Sequence, residues 1–278
     1  MTFVERYLDD MKHYRESSEN TINSYKPTLK QLTEFLDGDY KVDRDKLKDF
    51  IISLNKRNLK ATTINHKINC LKSFYKYLHE SGYVDDNPTS GLTYRKTSVE
   101  PFYYLDDQLV SDLLKHAERA SDVDRTMVKL MLATAVRVNV ISRLKRDNFN
   151  FDKKTITFYN RKSRKTQTIN LSDDVINEVK SLFNKHNNEH LFISNQGTPM
   201  SKRTVERHIK KMLKKVTKNT DLQHAHCLRH TVAMRLAQRN VSIYVIKEFL
   251  GHASITSTQK YVKAVESDIK SASEVLGI

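Results

Sequence analysis

Six glycines and four prolines are all that interrupt 278 residues, so the chain has few places to turn sharply, and apolar side chains recur between them at helical spacing. Ile22, Tyr25, Leu29, Leu32, Phe35 and Leu36 form one such set. Leu47, Phe50, Ile51 and Leu54 form a second, and Ile64, Ile68, Leu71, Phe74, Tyr75 and Leu78 a third. With a short helix near residues 3–12, these predict a four-helix N-terminal domain over residues 1–88. Pro88 and Pro101 bracket a polar stretch, TSGLTYRKTSVE, with little apolar periodicity, which reads as a linker over 89–101. Residues 102–278 continue mainly helical with one exception: TITFYNRKSRKTQTINL alternates and is rich in Thr and Ile, the pattern of a β-hairpin or small sheet. The expected fold class is mainly α with a small β-sheet, in two domains, which suits a length beyond the usual single core.

Charge narrows the partner. The net +15 suits a polyanion, either nucleic acid or an anionic membrane, and residues 1–100 contribute little of it, with 17 basic against 15 acidic side chains. No uncharged apolar run approaches the roughly 18 residues a spanning helix needs. The N-terminus, MTFVERYLDDM, is charged where a signal peptide would be apolar. No membrane association and a cytoplasmic location are therefore expected. Cys70 and Cys227 are too few for a disulfide framework, and no Cys/His cluster has zinc-binding spacing.

Two segments offer a basic face. Residues 50–79 carry Lys56, Arg57, Lys60, Lys67, Lys72 and Lys76 with no carboxylate among them. SKRTVERHIKKMLKKVTK places Val205, Ile209, Met212, Leu213 and Val216 on one stripe, with Lys202, Arg203, Arg207, Lys210, Lys211, Lys214, Lys215 and Lys218 opposite and only Glu206 against them within the segment. A solvated polar face is the plain reading of such a helix. Unrelieved repulsion between so many cations favours an anion-binding surface instead.

The chemistry concentrates in HAHCLRHTVAMRLAQRNVSIYVIKEFLGHASITSTQKYVKA, residues 224–264. His226 and Arg229 stand three apart, about one helical turn, so both can face one pocket. Gly251 can end an apolar helix and present His252, and Tyr261 follows nine residues on. Arg137 lies in the apolar segment MVKLMLATAVRVNVISRL, which reads as a helix in which a buried guanidinium needs an anion. Singly, each of these has a structural explanation. Jointly, two arginines, two histidines, a lysine-bearing hairpin and a tyrosine are what attack on a phosphodiester requires: cations for the oxygens that gain charge, a proton acceptor for the phenol, and an acid for the leaving oxygen.

HCLRHTVAMRL resembles the H-x-L-R-H-T-x-A-x-x-L box of the tyrosine recombinases, the family of phage integrases and Xer proteins, and LGHASITSTQKY resembles their L-G-H-x-S-I-x-x-T-x-x-Y box. ATAVRV is similar to the first arginine box, the hairpin with Lys162 to the catalytic-lysine turn, and NTINSYKPTLKQLTEFL and ATTINHKINCLKSFYKYLHESGYVDDNPTSG to the N-terminal core-binding domain. The resemblance implies that Tyr261 attacks the scissile phosphate to give a 3′-phosphotyrosine and a free 5′-hydroxyl. Arg137 and Arg229 would clamp the phosphate, His226 act as acid/base, His252 bond a phosphate oxygen, and Lys162 protonate the leaving 5′-oxygen, with Lys165 as its rival. It further implies site-specific recombination through a Holliday junction, by a homotetramer on two double-stranded DNA sites. The C-terminal helix, with Val265, Ile269, Ala272, Val275 and Leu276 on a stripe, would dock on a neighbouring protomer, and no cofactor or divalent metal is called for. DNA contact is expected from Lys56, Arg57, Lys60, Lys67, Lys72, Lys202, Arg203, Arg207, Lys210, Lys211 and Lys214. The sequence departs from the family pattern at Ala135, where Gly is common two residues before the first arginine, and at Val140, where an acid is common three after it. An inert DNA-binding descendant and a type IB topoisomerase are the rival readings.

Overall fold

The computed structural model describes the chain apart from residues 56–57, 98–101, 161–164 and 277–278, and the side chains of 55 and 267–276 are likewise left aside. The chain divides into two compact units, Met1–Glu100 and Pro101–Ile278.

The first unit is built from α1 (Phe3–His13), α2 (Glu19–Phe35), α3 (Arg44–Asn55) and α4 (Ala61–Glu80). Their starts follow local chemistry. Thr2 and Glu5 form a capping box on α1, and Ser18 caps α2 by accepting from the Thr21 backbone N–H. All three expected apolar sets turn inward: Leu29, Leu32, Leu47, Leu54, Ile68, Leu71, Phe74 and Leu78 are buried around α4, which the other three helices contact. Tyr7 joins them through an edge-on contact with Phe74 and a 2.7 Å hydrogen bond with Ser73. Part of the polar stretch after Pro88 is fastened to this unit. Leu92 is buried in its core, Asn65 and Arg95 exchange hydrogen bonds, and the Tyr94 hydroxyl donates to Asn69.

The second unit runs α5 (Asp107–Glu118), α6 (Asp122–Thr134), α7 (Val138–Ile141), β1 (Phe149–Asn150), β2 (Thr155–Asn160), β3 (Lys165–Asn170), α8 (Asp173–Phe183), α9 (Lys202–Leu213), α10 (Ala225–Gln238), α11 (Ile243–Leu250) and α12 (Thr256–Leu276). The alternating segment forms the antiparallel order β1-β2-β3, with Ile156 opposite Ile169 and Asn160 opposite Lys165. Ile156 and Phe158 point into the core while Tyr159 faces out, the two-residue period the sequence carries.

Helix α6 is the central element, in contact with α5, α8, α9 and α10. Its Lys129 is buried yet paired with Glu118, Asp174 and Glu178 at 2.7, 3.0 and 3.2 Å, so the desolvation of the ammonium is offset by three carboxylates. A separate apolar cluster joins α10, α11 and α12 through Ala233, Met234, Ala237, Ile246 and Leu250, and Tyr261 belongs to it. Among the described residues no helix is long and apolar enough to cross a membrane.

Candidate active site

The sequence suggests an unbroken helix around Arg137, and here the structure differs. Helix α6 stops at Thr134, Ala135 turns into the left-handed region at φ 50°, and Arg137 sits extended at the N-cap of α7. Alanine is a strong helix former, so propensity gives no warning of this break. A positive φ suits the glycine that the resemblance to the tyrosine recombinases leads one to expect here. The break takes Arg137 out of the helix and leaves its guanidinium half-buried with no hydrogen-bond or ion-pair partner among the described residues. Burial lowers its pKa, and Tyr261 opposes that shift.

Arg229, on α10, is 3 % exposed and donates to two backbone carbonyls: Ala135 at 2.7 Å and Leu250 at a shorter distance. Both carbonyls lie where a helix ends, α6 and α11 respectively, and so carry the negative end of a helix dipole. They partly satisfy a buried cation that has no carboxylate partner among the described residues. Burial, then the charge of Arg137, lower the Arg229 pKa to about 10.

The turn after α11 carries His252. Gly251 closes the helix at φ 60°, and a Cβ there would lie 2.1 Å from Asn160 Nδ2 and 2.3 Å from Gln167 Oε1. Asn160 donates to the Gly251 carbonyl at 3.0 Å, and Gln167 donates to the Glu248 carbonyl at 2.6 Å. The hairpin is therefore bolted to the end of α11 by two amides. His252 Nδ1 is engaged with Thr258 at 2.8 Å, which leaves Nε2 as the ring's remaining polar atom. Lys162 lies outside the described residues. Its rival Lys165 opens β3 with an exposed ammonium 3.5 Å from Glu248.

Tyr261 is 1 % exposed, set edge-on to Phe102 at 5.2 Å with the Lys260 ammonium 5.0 Å from its ring centroid. Its hydroxyl meets His230 Nδ1 at 2.8 Å. The contact belongs to His230, not to His226, which stands exposed one turn earlier on α10 with its ring 4.5 Å from that of His230. Sequence reasoning passed over His230 and Lys260. Both sit inside the two boxes, but only the fold brings α10 against α12. Lys260 is half-buried, has no anionic partner among the described residues, and its pKa is lowered by burial and then by Arg229.

Burial and neighbouring cations set the electrostatics of this cluster. Desolvation first, then surrounding cations, lower His226 to about 4 and His230 and His252 to about 3. Desolvation raises Tyr261 to about 12 against the pull of Arg229 and Arg137. Among the described residues, no group of three or more His, Cys, Asp or Glu side chains is placed to hold a metal ion.

The candidate DNA contacts fare unevenly. Lys56 and Arg57 lie outside the described residues, and Lys60 precedes the first turn of α4. Lys67 bonds Gln31 at 2.8 Å, and the Lys72 ammonium lies 4.6 Å from the Tyr94 ring centroid. Of the expected stripe, Val205, Ile209, Met212 and Leu213 are buried on α9 and Val216 is half-buried beyond its end; Lys202, Arg203, Arg207, Lys210 and Lys211 are exposed, as is Lys214, the C-cap residue. Lys202 pairs with Glu206. Asp124 of α6 adds a carboxylate the segment lacks, 2.6 Å from His208 and 3.7 Å from Lys211.

Among the described residues a tyrosine is buried beside cations that have no carboxylate partner, an arrangement suited to binding a phosphodiester. The chain belongs to the phage integrase family: the pattern of that family matches residues 103–267, and that of the phage integrase N-terminal SAM-like domain matches residues 4–82. It is 28 % identical to the tyrosine recombinase XerA of Pyrococcus furiosus, over 98 % of this chain and 94 % of that one. It is 27 % identical to the tyrosine recombinase XerC of Oceanobacillus iheyensis, over 98 % and 96 %. Its fold is shared with a lambda integrase dimer bound to a COC' core site, with a TM-score of 0.75 at 18 % identity over 94 % of this chain and 76 % of that one. The Tn1549 transposon integrase in complex with a circular intermediate DNA gives 0.73 at 18 % identity, over 94 % and 95 %. The chain is thus a tyrosine-type site-specific DNA recombinase, an enzyme of DNA strand breakage and rejoining.

Proposed function

We propose that Tyr261 attacks a scissile DNA phosphate held between Arg137 and Arg229, forming a 3′-phosphotyrosine and releasing a 5′-hydroxyl. The observation that carries this reading is the burial of Tyr261 beside two arginines, neither of which is paired with a carboxylate among the described residues. A phosphodiester would supply the missing anion and relieve the desolvation of both guanidinia. His252, with Nδ1 occupied by Thr258, would offer Nε2 to a phosphate oxygen. On the family pattern the proton exchange at Tyr261 belongs to His226. Lys162 would protonate the leaving oxygen, a role for which the exposed Lys165, drawn towards Glu248, is less suited. Rejoining reverses the step with a 5′-hydroxyl of the partner strand, and the bond energy kept in the phosphotyrosine makes an external energy source unnecessary.

In this reading residues 1–88 bind the core DNA site, 89–101 link, and 102–278 carry the chemistry. Four protomers would assemble on two DNA sites, in keeping with a lambda integrase relative whose structure is a tetramer bound to a Holliday junction. A labelled two-site substrate tests it. Recombinant joints are expected, whereas relaxation alone would indicate a topoisomerase and binding alone an inert descendant.

A further inference from the structure

Four successive backbone carbonyls at the end of α11, those of Glu248, Phe249, Leu250 and Gly251, each accept a side-chain donor from another element. Gln167 of β3 donates through Nε2 to Glu248 at 2.6 Å and to Phe249 at 3.3 Å. Arg229 of α10 donates to Leu250, and Asn160 of β2 donates to Gly251 at 3.0 Å. We infer that Asn160 and Gln167 are positioning residues for strand cleavage: through the end of α11 they fix the carbonyl that orients Arg229 and the turn that presents His252. The inference rests on the reading of Arg229 and His252 as ligands of the scissile phosphate, and neither amide is itself taken to touch DNA.

Capping alone does not account for these amides. Gly251 already closes α11 with backbone bonds, its own N–H to Glu248 and the His252 N–H to Lys247, both at 3.0 Å. What the amides add is a fixed place for that closed end relative to the sheet. They are also tied to each other, Asn160 Nδ2 donating to Gln167 Oε1 at 3.0 Å. Each amide therefore has one workable orientation, since reversing either would set its oxygen against a carbonyl oxygen. Asn160 is buried and Gln167 half-buried, which limits the access of competing water. Gly251 in turn lacks the Cβ that would occupy their place.

The chemistry makes this placement matter. The guanidinium of Arg229 spans two helix ends, the Ala135 carbonyl after α6 and the Leu250 carbonyl of α11, so a shift of α11 turns its plane. His252 follows Leu250 by two residues and moves with the same turn. Both ligands of the phosphate share one support, and a displacement of about 1 Å there costs on the order of 10²-fold in rate. A lost amide would act on charge stabilisation at phosphorus and leave affinity for DNA, which is carried by phosphate contacts along the duplex, little changed.

The test separates positioning from support of the fold by removing the charge to be stabilised. Covalent adduct formation by the full chain is timed in single turnover on a nicked duplex recovered by covalent capture, made with either an ordinary phosphodiester or a neutral methylphosphonate at the scissile position. Gln167→Met and Asn160→Leu, which keep bulk and neutrality but lose the donors, should each slow the phosphodiester reaction between about 10- and 10²-fold. On the methylphosphonate most of that loss should vanish, as it should for Arg229→Ala, because a neutral phosphorus centre relies less on an aligned guanidinium. Gln167 is half-buried on the sheet, so Gln167→Met carries the test with a normal circular dichroism spectrum even where Asn160→Leu does not fold. Variants as fast as wild type, or slowed equally on both substrates while Arg229→Ala is rescued, would overturn the inference and leave the arginine clamp standing. Failure of the methylphosphonate to rescue Arg229→Ala, or an adduct formed by Tyr261→Phe, would instead overturn the underlying reading of the site.

Discussion

Arg229 shows how a buried charge is tolerated with no carboxylate partner among the described residues. Two helix-end carbonyls take two of its five N–H groups and fix the plane of the guanidinium. A lysine carries its three donors on one nitrogen and lacks the planar fork that spans both carbonyls. Arg229→Lys should therefore cut covalent adduct formation about 10²-fold or more, measured in single turnover, with DNA affinity little changed. The histidines make a second prediction. For His230 the folded-state pKa, about 3, lies below the ordinary 6.5, so the unfolded chain binds the proton more readily. Its contribution to stability is then full above pH 6.5 and is lost as the pH falls from there towards the folded value. Between pH 6.5 and 5 the loss from this one group approaches about 2 kcal/mol. Urea unfolding of His230→Gln should accordingly show a shallower acid decline than wild type, and equal slopes would remove His230 as the source. Of the proposed site residues, Tyr261, Arg229, His226 and His252 can be picked out because each stands in a long box with a distinctive residue order. His230 and Lys260 cannot, because a histidine beside an arginine and a lysine beside a tyrosine acquire meaning only when α10 meets α12.

The junction between the hairpin and α11 sets the position of the His252 turn. Gly251 is required there twice over, by its φ of 60° and by the side chains of Asn160 and Gln167 that fill the place of a Cβ. Gly251→Ala should cost about 2–4 kcal/mol, from backbone strain of about 1–2 kcal/mol plus displacement of the two amides. It should also depress cleavage as His252 shifts, and a thermal midpoint within a degree of wild type would contradict this account. Gly251 as a helix stop was readable. Its amide partners were not, since Asn160 lies 91 residues from it along the chain. The break at Ala135 was hidden for the opposite reason, a residue with high helix propensity held in the left-handed region by its surroundings. Helix α9 carries a third expectation. Replacing Lys210, Lys211, Lys214 and Lys215 with Gln should flatten the dependence of DNA binding on log salt by about 3, somewhat below the full value of roughly 0.9 per phosphate contact because Lys211 is drawn to Asp124. An unchanged slope would return α9 to a solvated surface.

At the scale of the molecule, the helical N-terminal unit was readable from three apolar stripes, and the sheet from one alternating segment, because both are written as local periodicities. The C-terminal helix reaches Leu276, with Ala264 and Val265 packed in the cluster that holds Tyr261. The expected docking stripe beyond them, Ile269, Ala272, Val275 and Leu276, falls on side chains outside the described residues. Truncation after Glu266 keeps Val265 and should spare binding to one site while abolishing assembly of four protomers on two, as read by native gel or light scattering. A truncated chain that still pairs two sites would refute docking in trans. The central claim is that Tyr261 becomes joined to DNA. A pool of nicked duplexes of random sequence is incubated with the full chain in excess EDTA, detergent-resistant complexes are recovered, and the peptide bearing a trimmed nucleotide is sequenced. The account predicts a 3′-phosphoryl adduct on Tyr261 and none from Tyr261→Phe. An adduct on another residue, a 5′-linked adduct, or a strict need for a divalent metal would contradict it.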